Sequence, residues 1–295
     1  MTFRAFRFQR LVPAIGCLAG IVAAGAARAA TIYVSNAASN SIVTINSAGV
    51  GTLFASTGLS SPEGLAFDTA GNLYVANYNS NTVERFTPNG VGSAFASAGL
   101  NHPFGLAFDQ QGNLFVANNG NNTIEEFTST GIGSLFANTG LALPRGLAFD
   151  AAGNLYAANL SGNTIEKFTP SGTSSVFASG ITDPFGLAFG PGGYLYVSQN
   201  TAQIAKVSPS GVRSSIPTSS VFRGIAFDSA GNLFGPVGSN TYLGEFTSGG
   251  VVSSLSASGL NSPQFIAIQV PEPSGCAIAG AGLAAFVALA RRARM

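Results

Sequence analysis

The sequence predicts an all-β protein: a six-bladed β-propeller of four-stranded blades, closed by pairing of the C-terminal strand with the N-terminal blade. A helical signal peptide precedes it and an apolar helix follows. Three observations carry the prediction: a stretch that recurs at near-constant spacing, four strand-like runs in each period, and a last run that supplies what the first unit lacks.

The recurring stretch is GLAFDTAGNLYVAN at residues 64–77. It returns as GLAFDQQGNLFVAN from Gly105 and GLAFDAAGNLYAAN from Gly146, then more loosely from Gly186 and Gly224, at spacings of 41, 41, 40 and 38 residues. A period of this length means one supersecondary unit copied along the chain. With 46% apolar residues, 8% charged residues and 38 glycines, the composition suits a turn-rich β protein with a large core.

Within one period the apolar runs fall at residues 64–68, 72–77, 82–87 and 93–97, too short for helices and separated by turn residues. The first two are apolar on both faces and therefore covered on both sides. The third admits charge and the fourth is partly polar, so burial is expected to fall from the first strand at the axis to the fourth at the rim. Between first and second strands Asp-x-x-Gly-Asn recurs, as Asp68, Gly71, Asn72 and again from Asp109, Asp150 and Asp228. Asp bonds the backbone ahead of it and Gly supplies positive φ, which makes a tight hairpin. One carboxylate per turn is too few for a calcium ion wanting six to eight oxygens.

The body begins at Thr31 with TIYVSN, which matches a second strand, so the first unit lacks a first. SPQFIAI at residues 262–268 aligns with SPEGLAF at residues 61–67 and completes it, which removes the open end of the array. Pro217 falls on a tolerant outer edge, whereas Gly235-Pro236 interrupts a second strand and makes the sixth blade the least regular.

Both ends read as processing signals. Residues 1–29 carry Arg4, Arg7 and Arg10, an apolar run and Ala27-Arg28-Ala29, the layout of a secretory signal peptide cut near Ala30. The propeller occupies 30–270, and 271–295 is a tail of Pro271-Glu272-Pro273, sixteen mostly small apolar residues (275–290) and Arg291, Arg292 and Arg294. As a helix the apolar run spans about 24 Å, slightly short for a membrane core, and the arginines keep its end cytoplasmic. The two cysteines, Cys17 and Cys276, lie in these ends, so the body has no disulfide and no thiol chemistry. Residues 31–270 hold eleven acidic and six basic side chains, a net charge of −5, which argues against nucleic acid as a partner.

The P-x-G-L-A-F-D, G-N-L-Y-V-A-N and N-T-I-E-K-F segments resemble the NHL repeat and its YVTN-like neighbours over about 240 residues. The resemblance implies the propeller; for function it spans binding scaffolds, lactonases and lyases. A departure is Asn77, Asn118 and Asn159, where NHL repeats usually carry Asp. The tail resembles a PEP-CTERM sorting signal, which implies export across the inner membrane of a Gram-negative bacterium and transient anchoring there. It also implies recognition of Pro-Glu-Pro by an exosortase-type membrane protease or transpeptidase, and a place at the cell surface or in an exopolysaccharide matrix.

Candidate chemistry lies where the copies disagree. Just before the five repeat glycines, and at the matching place in the last strand, stands a varying column, Glu63, Phe104, Arg145, Phe185, Arg223 and Gln264, on the face that carries the second-to-third loops; it is the candidate ligand-facing mouth of the channel. The loops on that face are rich in Asn, which suits turn capping or a polar rim for a sugar. His102, the sole histidine, stands in one connection without a repeated counterpart and reads as a surface residue. No catalytic residue, metal site or cofactor is assigned. The expected function is a non-catalytic binding or matrix module taking polysaccharide or surface proteins as partners. The alternative is a metal-dependent lactonase or lyase of the propeller type, using Glu63 with nearby Asn residues and calcium as the candidate metal.

Overall fold

The computed structural model describes residues 31–237, 242–247 and 252–269. The predicted signal peptide (1–29) and sorting tail (271–295), with both their helices, lie outside the described residues. Among the described residues no helix is long and apolar enough to cross a membrane.

Six antiparallel four-stranded sheets are formed. Blade 1 holds β1 (Thr31–Asn36), β2 (Ser41–Ile45) and β3 (Gly51–Ala55); blade 2 holds β4 (Pro62–Phe67), β5 (Leu73–Asn77), β6 (Thr82–Phe86) and β7 (Gly92–Ala96). Blade 3 follows with β8 (Pro103–Phe108), β9 (Leu114–Asn118), β10 (Thr123–Phe127) and β11 (Gly133–Ala137), and blade 4 with β12 (Pro144–Phe149), β13 (Leu155–Asn159), β14 (Thr164–Phe168) and β15 (Ser174–Ser179). Blade 5 has β16 (Leu187–Phe189), β17 (Leu195–Ser198), β18 (Gln203–Val207) and β19 (Arg213–Pro217). Blade 6 has β20 (Ala226–Phe227), β21 (Leu233–Pro236), β22 (Tyr242–Phe246) and β23 (Val252–Ser256), and β24 (Pro263–Gln269) returns to blade 1. There Ile32 faces Ile268 and Val34 faces Ile266, so the first and last strands form the expected clasp. Blade 6 is the least regular, as Gly235-Pro236 predicts: its inner strand is two residues long.

The core is a set of seams between blades. Leu73 and Val75 of β5 pack toward blade 1 with Tyr33 and Ile42, while Tyr74 and Ala76 of the same strand pack toward blade 3 with Leu106 and Val116. Alternate side chains of one strand thus serve two cores, which is why its sequence is apolar throughout. The four seams from blade 1 to blade 5 each carry an aromatic triplet; Tyr74 meets Phe95 and Phe108 edge-on at 4.8 and 4.9 Å. Burial does not fall steadily from the first strand. The second strands β5, β9 and β13 are the most buried, because strands flank them within the blade and blades cover both faces. The inner strands are half-exposed at Ala66 and Phe67 and their counterparts, where they leave the packed ring at the far face.

The Asp-x-x-Gly-Asn turns form as expected. Asp68 Oδ1 accepts from the backbone N–H groups of Ala70 and Asn72, Oδ2 accepts from Asn72 Nδ2 at 2.8 Å, and Gly71 sits at φ 79°. The column that ends the second strands has a different task. Asn118, fully buried, accepts from the N–H of Asn101 through Oδ1 and donates through Nδ2 to the Gly99 carbonyl at 2.8 Å and to Thr123 Oγ1 at 3.0 Å. Asn77 and Asn159 repeat the pattern. Asn81 and Asn122, left-handed at φ 55° and 57°, accept through Oδ1 from the N–H of His102 and Leu143 in the following blade's connection. Asn therefore clamps the fourth-to-first connections, and the donor end explains why Asp is absent at residue 118.

Asn118→Asp replaces the donated hydrogen bonds with repulsion against the Gly99 carbonyl. It should lower stability by about 1–3 kcal/mol in urea denaturation, with the circular-dichroism spectrum unchanged.

Candidate functional site: a cationic pocket at the channel mouth

The site starts from how closely the inner strands converge. A Cβ on Gly105 would lie 2.1 Å from the Arg145 carbonyl oxygen, and one on Gly146 would lie 2.5 Å from that of Phe185. Gly146 N–H in fact donates to the Phe185 carbonyl at 2.8 Å, and Gly224 N–H to that of Gln264 at 2.8 Å. Only glycine permits this approach, and the residue before it is aimed at the axis. In blade 1 the glycine place is taken by Phe265, whose ring fills the space that Gly224 leaves open.

The varying column then separates into a plug, a charged group and an outlier. Phe104, Phe185 and Phe265 are buried and close the axis, with ring centroids 5.3–5.7 Å apart. Arg145 lays its guanidinium over Phe104 and Phe185 at 5.1 and 4.7 Å, and Arg223 over Phe185 at 5.1 Å. Glu63, 8% exposed, lies within electrostatic reach of both arginines. Gln264 folds back onto its own connection, donating to Ser262. Five of the six expected mouth residues are thus brought together.

Beside the plug a pocket of about 420 Å³ opens between blades 4, 5 and 6, lined by Arg145, Ser161, Asp183, Phe185, Gln199, Asn200, Phe222 and Arg223 among others. Arg145 Nε, Arg223 Nε and Gln199 Nε2 are buried without a hydrogen-bond partner, as is Glu63 Oε2 beside them. Burial raises the Glu63 carboxyl to about 8 despite the opposing pull of Arg145 and Arg223, so it is largely protonated at neutral pH. Burial, then the like charge of Arg223, lowers the Arg145 pKa, but a guanidinium remains protonated in proteins. Nearby, His102 is half-buried, not exposed as expected, and stacks on Tyr78 at 4.6 Å because the Asn81 clamp holds its backbone in place.

Gln199 was not anticipated, yet its signal is visible: the Asn column 36, 77, 118, 159 changes to Gln at 199 and Val at 237. A larger cavity of about 460 Å³ lies at the opposite face, among the Asp109 and Asp150 turns. The Asp109 and Asp150 carboxylates there are engaged by their own turns. Among the described residues no group of three or more His, Cys, Asp or Glu is placed to hold a metal ion.

The family model described as NHL repeat matches residues 59–86, about two-thirds of one period of the array. No curated protein sequence matches the chain significantly. Among solved structures, a chain of the nidogen/laminin complex is similar at 18% identity and a TM-score of 0.74, over 81% of this chain and 98% of that one. A catalytically inactive virginiamycin B lyase from Staphylococcus aureus, solved with quinupristin, aligns at 16% identity and a TM-score of 0.64, covering 82% and 93%. A gluconolactonase from Xanthomonas campestris aligns at 18% identity and a TM-score of 0.61, covering 82% and 90%. At these identities the likeness is one of fold.

The raised carboxyl sets a pH dependence. Between the ordinary carboxylate range and about pH 8 the folded state holds a proton on Glu63 that the unfolded state has lost, so this group's contribution to stability falls as pH rises through that window. Glu63→Gln should unfold at the same temperature as the parent near pH 4 and at a higher one near pH 8.5 in differential scanning calorimetry.

Proposed function

We propose that the protein is a non-catalytic binding module whose ligand enters the mouth pocket between blades 4, 5 and 6. The observation that carries this reading is the convergence on one pocket of three buried donor nitrogens without partners, on Arg145, Arg223 and Gln199. Unpaired buried donors are costly in the free protein, and a ligand that accepts from them recovers that cost on binding. The likeness to a chain of the nidogen/laminin complex agrees with a binding role but is one of fold.

A lyase and a gluconolactonase share the fold, and metal-assisted catalysis is the alternative reading. The residues present do not fit a divalent cation. Glu63 is protonated over most of the neutral range, two guanidiniums stand beside it, and the Asn77, Asn118 and Asn159 amides are committed to their clamps. A cation seeking six to eight oxygens would meet repulsion.

The module works outside the cytoplasm in this reading, exported by residues 1–29 and held transiently in the inner membrane by the tail. An exosortase-type enzyme recognises Pro271-Glu272-Pro273, and Arg291, Arg292 and Arg294 mark the cytoplasmic end. Polysaccharide or surface proteins are its partners at the cell surface.

Two measurements test these statements. Intact-mass analysis of the protein from its host should show loss of the tail, and replacing Pro271, Glu272 and Pro273 with alanine should leave it uncut. Calcium or other divalent ions should not shift the unfolding temperature. A stoichiometric metal lost on Glu63→Ala would replace the binding reading with the catalytic one.

A further inference from the structure

The pocket lies where the Asn clamp column breaks. In blades 1 to 4, Asn36, Asn77, Asn118 and Asn159 each spend both ends of the amide on the preceding connection. Gln199 holds that place in blade 5, one methylene longer. Its Oε1 still accepts from the Thr182 N–H at 3.1 Å, but Nε2 is released from the clamp into the pocket wall, unpartnered on a side chain 3% exposed. Ser198 beside it accepts from the Gly186 N–H and donates to the Arg223 carbonyl, which fixes the start of the Arg223 side chain. The same wall therefore carries an amide donor and two guanidiniums, none of their buried nitrogens paired.

Charge narrows the class of ligand. Arg145 and Arg223 contribute two positive charges and Asp183, on the rim with Asn200 donating to it at 3.4 Å, one negative charge. The balance suits a single negative charge on the ligand. Guanidinium forks match the two oxygens of a carboxylate. The rest of the wall offers hydroxyl, amide and carboxylate groups from Ser161, Asn200 and Asp183, which suit a ligand rich in hydroxyls.

We propose that the pocket binds a sugar acid, its carboxylate gripped by Arg145 and Arg223 and oriented by Gln199, with its hydroxyls toward Ser161, Asn200 and Asp183. This rests on the binding reading above and names its ligand class. The same chemistry is available from a free sugar acid or from a uronate within a glycan chain.

Calorimetric titration with galacturonate, a galacturonate oligomer and galactose tests it, since galactose carries a hydroxymethyl group where galacturonate carries the carboxylate. Galacturonate should bind and galactose should not. Arg223→Gln and Gln199→Asn should each weaken galacturonate by about tenfold or more. Gln199→Asn restores the clamp of the other blades, so its unfolding temperature should match or exceed that of the parent, and weaker binding then reports the lost donor and not lost structure. An oligomer that binds more tightly than the monomer identifies a glycan as the source, and equal binding identifies the free acid; both support the proposal. Galactose binding as tightly as galacturonate overturns carboxylate recognition and leaves a binding module. Equal binding by parent and both variants, or no binding of either acid in the millimolar range, overturns the site. Consumption of galacturonate during the titration overturns the non-catalytic reading itself.

Discussion

The structure depends on the approach of backbone to backbone at the axis. A side chain on Gly64, Gly105 or Gly146 would strike the next blade's carbonyl oxygen at 2.1–2.5 Å, so the repeat glycines set the radius of the ring. Once the radius is fixed, the second strands are pressed between neighbours on both faces, and the seams of Leu, Val, Tyr and Phe follow. The single exception, Phe265, is tolerated because its ring uses the space beside Gly224. With Phe104 and Phe185 it forms the floor of the mouth.

That floor explains how two arginines remain unpaired in a half-buried place. Resting a guanidinium on an aromatic face holds it through the ring quadrupole without occupying its N–H groups. Arg145 lies over two rings and Arg223 over one, so both are positioned while their forks stay free. Glu63 does not neutralise them, because the burial that places it near them favours its protonated form.

The repeat made the blades, the clasp and the turns legible, since these residues do the same work in every copy. The convergence of residues 63, 104, 145, 185 and 223 near the axis was legible as a column of disagreement, but its division was not. Phe104 and Phe185 read as ligand-facing, yet they bury one another, and the partner that makes this favourable, Phe265, comes from the far end of the chain. Gln199 looked like a loose copy of Asn because a one-methylene change carries no weight in a pattern. Its effect emerges only when the clamp geometry shows which end of the amide is released. The strand burial order likewise needed the third dimension, since apolarity on both faces does not distinguish a strand at the axis from one in the middle of a blade.

The clasp also determines how the ring bears mechanical load. Thr31 pairs with Gln269, so the two ends of the propeller leave side by side from one edge of one sheet. Tension between the ends opens that pair one hydrogen bond at a time, like a zip. Tension on the Gln269 end alone, resisted by the body of the protein, pulls β24 lengthwise and loads its whole ladder to β1 in shear, together with its packing against β4 and β20. The same seven residues are thus weak against separation of the ends and strong against traction from one of them.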